Sequence, residues 1–172
     1  MGAMSAPAGF SIVAAAPADV EDMGSLASAR RQQYEQAQPQ FWKAAPDAVE
    51  QHTLFLASLI GNDQVVSLVA RDGDRLLGFV FGSLVASPPV YAPGGPSGFI
   101  DDFAVADAAD WSTVGSALLA AARERLAELG AVQVVVVCGH HDEAKMDTLL
   151  ASGLSRASEW LVAPVRDESA SP

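Results

Sequence analysis

Two adjacent carboxylates, Asp101 and Asp102, interrupt an otherwise apolar run at residues 99–105. Carboxylates inside an apolar strand are costly unless they are hydrogen-bonded or used, so the pair is a candidate for general-base chemistry or for structural pairing. Neighbouring side chains of a regular strand point to opposite faces. This predicts that one carboxylate faces a cleft while the other is buried or bonded to a neighbouring backbone. We favour Asp102 as the base, with Asp101 as the second choice.

The stretch that follows has the pattern of an anion site without cations. Thr113, Val114, Gly115 and Ser116 stand where a helix is predicted to begin, and helix N-termini bind phosphate through backbone N–H groups and the helix dipole. Two acids, Asp107 and Asp110, precede this start, and residues 101–122 contain no Lys or Arg. Two interpretations stay open: a phosphate site made of backbone amides, or a helix start that Ser112 or Thr113 caps and that binds nothing.

A third polar cluster, Cys138 followed by Gly139, His140, His141 and Asp142, comes directly after an apolar run. Histidine titrates near neutral pH, so His140 is a candidate proton donor, with an ordinary polar loop as the alternative. One cysteine and two adjacent histidines lack the spaced ligand pairs of a zinc site, and we predict no metal. Cys138 is the only cysteine, which excludes a disulfide within the chain and fits a reducing compartment.

The composition indicates one globular domain. The chain has 172 residues, 50% of them hydrophobic, and a formal net charge of −11. Such acidity argues against nucleic acid or an anionic membrane as a partner and slightly favours a cationic small molecule or peptide. No apolar run is long enough to cross a membrane, and the N-terminus lacks the pattern of a signal peptide, so we expect a cytoplasmic protein. We predict a domain at residues 10–165 between a tag-like, disordered start at 1–9 and a frayed tail at 166–172.

Periodicity and turn residues predict the elements that position these groups. An Asp-Gly pair at 72–73 between two apolar runs indicates a hairpin, and the loop rich in Pro and Gly at 87–98 excludes regular structure. The uniformly apolar run at 132–138 predicts a strand buried on both faces. In order, we predict strand 10–15, helices 19–35 and 46–61, strands 65–70, 76–86 and 99–105, helix 114–129, strand 132–138, helix 142–151 and strand 160–165. This order predicts a mixed sheet with helices on both faces.

The order of elements, together with residues 100–122, resembles the GNAT superfamily of N-acetyltransferases over about residues 10–165. In that family the fourth strand leads into a turn of pattern Arg/Gln-x-x-Gly-x-Gly/Ala, whose amides hold the pyrophosphate of acetyl-coenzyme A. Here Gly115 matches the final glycine, whereas Asp110 and Thr113 replace the Arg/Gln and the first glycine. The family's Tyr that protonates the departing thiolate has no counterpart, because its position falls at Leu149. The resemblance implies an α/β, GNAT-like acyl-CoA N-acyltransferase fold with a central, mostly antiparallel sheet.

The resemblance also implies site roles. The backbone of the fourth strand would supply the oxyanion donor, and the turn would supply the amides for the pyrophosphate. His140 or Tyr91 would serve as the acid, with Tyr91 as a packed loop anchor in the alternative. Trp111 would cover a phosphate or an adenine, or pack on the next helix. The implied cofactor-binding residues are Phe103, Ala104, Val105, Trp111, Ser112, Thr113, Val114, Gly115 and Ser116, and the implied acceptor-pocket residues, which packing also explains, are Tyr34, Phe41 and Trp42.

The predicted function is transfer of an acetyl group from acetyl-coenzyme A to a primary amine of a small molecule or peptide, by direct attack in a ternary complex. A covalent route through Cys138 is disfavoured, because no activating base can be named. One alternative is a catalytically impaired module of the same fold that binds a ligand or regulates. A second is a structural subunit that dimerises through an open strand edge. A homodimer is a reasonable expectation. The sequence leaves open the acceptor, the general acid, the oligomeric state and whether Asp110, Thr113 and Leu149 permit activity.

Overall fold

A computed structural model describes residues 9–165, which form a five-stranded sheet flanked by four α-helices. The strands lie in the order β1-β2-β3-β4-β5, and every neighbouring pair is antiparallel except the parallel pair β4 and β5. The mixed sheet predicted from the sequence is therefore confirmed, whereas residues 1–8 and 166–172, the bulk of the predicted tag and the tail, lie outside the described part. The elements are β1 (Ser11–Ala14), α1 (Val20–Ala37), α2 (Ala48–Leu59), β2 (Val65–Asp72), β3 (Arg75–Val85), β4 (Ser97–Val105), α3 (Ser116–Glu128), β5 (Gln133–Val136) and α4 (Glu143–Ala151).

Side-chain alternation along the strands divides the core into two layers. Val69 and Phe79 face one side, where Met23 of α1 and Leu56 of α2 cover them. The neighbouring residues Leu68 and Val80 face the other side, beneath α3 and α4. Successive strand residues point to opposite faces, so apolar residues at neighbouring positions bury both faces of the sheet. Helices therefore cover both faces, as predicted.

A bulge interrupts β4 where it pairs with β3. Val80 pairs with Phe103 and Gly82 pairs with Ile100, so two residues of β4, Asp101 and Asp102, stand opposite a single residue of β3. An extra residue of this kind bends the strand and redirects side chains. The predicted separation of the two carboxylates onto opposite faces is wrong for this reason, since both contribute to the same pocket.

The parallel strands β4 and β5 part halfway along β4. Their pairing ends with Ile100 opposite Val136, and the backbone N–H of Val137 donates to the Ile100 carbonyl at 2.8 Å. The remaining five residues of β4 have no partner in β5. This opening between the strands, called the splay below, has residues 101–105 of β4 on one side and Val137 and Cys138 on the other.

The helical segment after β4 begins earlier in the chain than predicted. A 3-10 segment at Ala108–Asp110 continues into a π-helical segment at Trp111–Gly115 and then into α3. The Asp107 carboxylate caps its start by accepting from Ala109 N–H at 2.9 Å, so neither Ser112 nor Thr113 is the cap. Asp caps helices well, and here it moves the start about six residues upstream of the predicted one.

The C-terminal part differs more from the predictions. β5 lies at the edge of the described sheet, and Val135 is 38% exposed, so the prediction of a strand buried on both faces is wrong. Uniform apolar composition does not distinguish an edge strand from a central one. Residues 160–165 form no strand, and Trp160 is 81% exposed. A strand needs a partner edge, and Pro164 also lacks an N–H for pairing. Within residues 9–165, no helix is long and apolar enough to cross a membrane.

Candidate functional site

A pocket of about 340 Å³ opens beside the bulge of β4, between α1 and α2. The bulge supplies two carboxylates, the helices supply arginines, an imidazole and one aromatic ring, and the loop between the helices supplies two further aromatic rings and a lysine. The substrate residues predicted from the sequence, Tyr34, Phe41 and Trp42, all line it. The other lining residues are Ala27, Arg30, Arg31, Lys43, Ala44, Ala45, Ala48, His52, Phe79, Asp101, Asp102, Ala104 and Val137.

Asp102 contacts His52, which in turn contacts Arg31. His52 Nε2 lies 3.1 Å from Asp102 Oδ2, and Arg31 Nη1 lies 2.5 Å from His52 Nδ1. A guanidinium can only donate, so Nδ1 must accept and the imidazole proton must reside on Nε2, which donates to Asp102. The Asp102 side chain keeps 22% of its surface exposed. One carboxylate oxygen is therefore oriented by His52 while the group remains accessible from the pocket.

Asp101, the second candidate base, is more exposed than Asp102 and lines the same pocket. Its Oδ1 accepts from the backbone N–H of Asp102 at 3.0 Å, an arrangement that supports the bulge. The structure thus brings both predicted carboxylates to one site.

The hydroxyl of Tyr34 ties α1 to the loop after β5. It accepts from Arg30 Nη2 at 2.7 Å and from Gly139 N–H at 2.9 Å, and it donates to Asp142 Oδ2 at 3.1 Å. Burial raises the pKa of Tyr34 to about 12, because desolvation outweighs the opposing effect of the Arg30 charge. Tyr34 therefore stays protonated and rigidly placed. Its ring packs edge-on to Trp42 at 5.2 Å between centroids, and Trp42 packs on Phe41 at 4.6 Å.

The other predicted acids lie away from this pocket. Tyr91 is 70% exposed in the loop between β3 and β4. His140 is exposed after β5, where its ring contacts that of His141 at 5.3 Å. Neither side chain lines the pocket. Their roles as proton donors stay predictions without a supporting contact.

Burial raises the pKa of the neighbouring Cys138 thiol, which disfavours its thiolate. No group of three or more His, Cys, Asp or Glu side chains within residues 9–165 is placed to hold a metal ion.

Lys145 of α4 lies inside the splay with no exposed surface. Its Nζ donates to the Val137 carbonyl at 2.8 Å and to the Phe103 carbonyl at 3.4 Å. Burial lowers the pKa of Lys145 well below its ordinary value, and the Arg30 charge lowers it further. Arg30 Nη1 also donates to the Phe103 carbonyl, so two side-chain nitrogens bind one oxygen.

The turn predicted to bind pyrophosphate is built around Trp111. This indole is buried and packs edge-on to Phe103 at 4.8 Å, so it packs rather than lying open to cover a ligand. Val114 and Gly115 are buried beside it, while Ser112 and Thr113 face solvent. Thr113 Oγ1 donates to the Asp110 carbonyl at 3.3 Å.

The splay and the turn fit the parts of acetyl-coenzyme A unequally. The N–H and C=O of one strand residue point to the same edge, so the N–H groups of Phe103 and Val105 face the splay, as the Phe103 carbonyl does. That edge presents two N–H donors, while its Phe103 carbonyl already accepts from Lys145 and Arg30. The turn offers a diphosphate only backbone amides and the helix dipole, beside two carboxylates and no cation.

Comparison with known protein families identifies the family of this chain. The model of the Acetyltransferase (GNAT) family matches residues 27–148, which span both β4 and the pocket. The chain belongs to the GNAT family of acetyltransferases. No curated protein matches the chain at a significant level.

Solved structures share the GNAT fold at low sequence identity. A predicted acetyltransferase with acetyl-CoA from Clostridium acetobutylicum superposes with a TM-score of 0.67 at 15% identity, covering 91% of this chain and 96% of that chain. The tetramutant of BH1408 from Bacillus halodurans reaches 0.75 at 12% identity, covering 90% and 99%. AAC(6')-Iy in complex with the bisubstrate analog CoA-S-monomethyl-acetylneamine reaches 0.65 at 15% identity, covering 92% and 99%.

Three residues of this GNAT site escaped the sequence analysis. His52 lies 50 positions before Asp102 within an ordinary amphipathic helix, so no local pattern links them. Arg30 sits at a helical position that also suits a solvated surface. Lys145 had the clearest signal, because it lies three and four positions before Thr148 and Leu149 and so shares their inward face of α4.

Proposed function

We propose that this GNAT protein transfers the acetyl group of acetyl-coenzyme A to a primary amine bound in the pocket beside β4. The observation that carries the proposal is the carboxylate of Asp102, oriented by His52 and accessible from a pocket that reaches the splay. An amine must lose a proton to become a nucleophile, and a carboxylate at the pocket wall is suited to take it.

The acetyl donor would lie along the splay, with its carbonyl carbon at the junction of splay and pocket. In this arrangement the amine attacks directly, without an acetylated enzyme. The raised pKa of Cys138 supports the direct route, because a buried neutral thiol is a poor nucleophile. The N–H groups of Phe103 and Val105 are the proposed oxyanion donors, since they face the same opening.

The charges of the pocket favour an acceptor that bears oxygen atoms close to its amine. Opposite the two carboxylates stand Arg30, Arg31 and Lys43. Arg31 Nη2 is buried and lacks a hydrogen-bond partner within the described residues. A buried donor without a partner is costly, and a hydroxyl or carboxylate oxygen of the acceptor would satisfy it. Aminoglycoside acetyltransferases among the structural neighbours, one of them in complex with sisomicin, support this class of acceptor.

A thermal-shift titration with acetyl-coenzyme A tests the donor. Ligand at about 100 times its Kd adds about 2.7 kcal/mol of stability. For a chain of this length that corresponds to a rise in Tm of roughly 5–11 °C. No rise at millimolar ligand would exclude the proposed activity.

Release of coenzyme A thiol with aminoglycosides, amino acids, polyamines and simple alkylamines then tests the acceptor. Asp102→Asn is expected to lower kcat and retain donor binding. Asp63→Asn, in the exposed loop before β2, makes the same charge change as a control.

The turn before α3 favours one second candidate, a GNAT-fold module that binds a ligand without acetyl transfer. Asp107 caps the helix start that would face a diphosphate, and Asp110 adds a second carboxylate nearby. Like charges at close range repel, which weakens the attraction of the amides. Such a module would show ligand-dependent stabilisation and no thiol release with any amine.

A further inference from the structure

Lys145 spans the opening between β4 and β5. Its Nζ donates to the Val137 carbonyl on one side of the splay at 2.8 Å and to the Phe103 carbonyl on the other side at 3.4 Å. The same atom lies over the rings of Phe103 and Trp111, at 5.2 and 5.5 Å from their centroids, and the side chain has no exposed surface. One side chain of α4 therefore links the two strands at the level where their own pairing has ended.

The contacts of Lys145 leave no room for a second molecule at this level of the splay. Both carbonyl oxygens lie within hydrogen-bonding distance of one nitrogen, so the gap between them holds little more than that nitrogen. A carbonyl oxygen has two lone pairs, and that of Phe103 already accepts from Lys145 and Arg30. Buried side chains pack closely, so a ligand that passes between Phe103 and Val137 has to displace the lysine.

The burial of Lys145 also lowers the cost of displacing it. Its partners are uncharged, and no ion pair within residues 9–165 includes it. Carbonyls and ring faces replace only part of the hydration of an ammonium, and burial accordingly lowers the pKa of Lys145 well below its ordinary value. Withdrawal to solvent restores that hydration and offsets the loss of the two hydrogen bonds. A ligand that binds only the open arrangement can therefore shift the population towards it.

We propose that Lys145 closes the splay of the unliganded protein and withdraws from it when coenzyme A or its acetyl thioester binds. This inference rests on the proposed function, which lays the donor along the splay. A binding-competent arrangement populated at about 0.1–10% weakens the apparent affinity by about 10- to 1000-fold. Lys145 opposes the pantetheine arm of the molecule, whereas Asp107 and Asp110 lie where its diphosphate would bind. A ligand without the arm therefore separates the two effects.

Calorimetric titration with coenzyme A and with adenosine 3′-phosphate 5′-diphosphate, which lacks the arm, tests the closure. Lys145→Ala removes the atoms that cross the splay and is expected to bind coenzyme A at least about tenfold more tightly than the wild type. Its affinity for the nucleotide is not expected to rise. Lys145→Met keeps the length of the side chain without its charge and is expected to bind coenzyme A no more tightly than the wild type. Arg125→Ala, at an exposed position of α3, controls for the change in net charge and should gain no affinity for either ligand.

NMR of protein labelled with ¹³C-lysine follows the movement in the wild type, so the test does not depend on how well the variants fold. The chain has one other lysine, Lys43, which is exposed. The ring faces of Phe103 and Trp111 shift the Cε proton signals of Lys145 upfield. Saturation with coenzyme A is expected to move these signals to the range of an exposed lysine, and saturation with the nucleotide should leave them in place.

The outcomes separate this inference from the proposed function. Equal affinity of the wild type and Lys145→Ala for coenzyme A, with unmoved Lys145 signals at saturation, would overturn the closure and leave the proposed function standing. An equal gain in Lys145→Ala and Lys145→Met would also overturn it, because the charge rather than the bulk would then oppose the ligand. If Lys145→Ala bound coenzyme A and the wild type did not, the closure would be supported and acetyl transfer by the wild type excluded. If no form of the protein bound it, both would fall.

Discussion

Gly115, the one residue that matches the family's turn pattern, provides a sharp test of what this turn does. Its backbone has φ −61° and ψ −47°, ordinary helical values that any residue adopts. A Cβ at this position would overlap Cε3 of Trp111 and lie 3.1 Å from Cζ3. The indole cannot withdraw, because it is buried and packed against Phe103. The structure therefore assigns Gly115 to making room for Trp111.

The cost of Gly115→Ala follows from two opposing effects. Overpacking a filled core costs about 1–3 kcal/mol. Replacing Gly by Ala within a helix gains about 0.8–1.0 kcal/mol. The balance is a loss of up to about 2 kcal/mol, and each kcal/mol corresponds to a Tm change of roughly 2–4 °C in a chain of this length. We expect Tm to fall by up to about 8 °C in the absence of ligand.

Thermal denaturation of Gly115→Ala beside Gly24→Ala measures this effect. Gly24 also lies within a helix, but the nearest atom to a Cβ there is the Thr53 hydroxyl oxygen at 3.0 Å, a much milder contact than the overlap with Trp111. The control is expected to keep its Tm or gain a few degrees from helix propensity. If Gly115→Ala kept the wild-type Tm and only bound acetyl-coenzyme A more weakly, the packing argument would be refuted. The glycine would then serve close approach of a phosphate.

Four further predictions concern the site. Asp102→Asn should lower kcat by about 10²- to 10⁴-fold, and His52→Ala should lower it less, because the carboxylate remains but loses its orienting donor; steady-state kinetics at several pH values measure both. Tyr34→Phe should lower stability by about 1–3 kcal/mol, because the buried Gly139 N–H loses its acceptor; an unchanged denaturation midpoint would contradict this role of the Tyr34 hydroxyl. Between pH 10 and about 12, Tyr34 releases its proton in the unfolded chain and keeps it in the folded protein. Wild-type stability should therefore fall by about 1.4 kcal/mol per pH unit in this range, whereas Tyr34→Phe should show no such decline. The contribution of Lys145 to stability changes with pH in the opposite direction. Its pKa is lowered in the folded protein, so stability should rise with pH until the unfolded lysine titrates near 10.5. Lys145→Met should remove that rise.

The sequence predicted those features that depend on local patterns. The hairpin at Gly73 was recognisable because its positive φ of 57° suits glycine, and α1 and α2 were recognisable from their apolar spacing and flanking residues. The element order together with one matching glycine was sufficient to indicate the family. Each of these signals lies within a short stretch of chain, where propensity and periodicity act.

The features that the sequence missed depend on pairing between distant segments. The bulge exists because β4 has one more residue than β3 between two paired positions, Val80 with Phe103 and Gly82 with Ile100. The sequence of either strand alone does not show this difference. The edge position of β5 depends on what pairs with its other side. The bond from His52 to Asp102 depends on how α2 packs over the sheet. Turn chemistry also misled the prediction, since an Asp cap at position 107 competed with Ser112 and Thr113 and prevailed.

The overall acidity of the chain is a poor guide to its pocket. Acidic residues outnumber basic ones by 21 to 10, which favours a cationic acceptor when the surface is taken as a whole. The pocket nevertheless collects Arg30, Arg31 and Lys43 against two carboxylates, with Lys145 buried behind Val137. Short-range contacts dominate recognition, because charges more than about 8–10 Å apart are largely screened at physiological salt. Under the proposed acetyl transfer, this mixture of charges favours an amine flanked by hydroxyl or carboxylate oxygens over a simple polyamine.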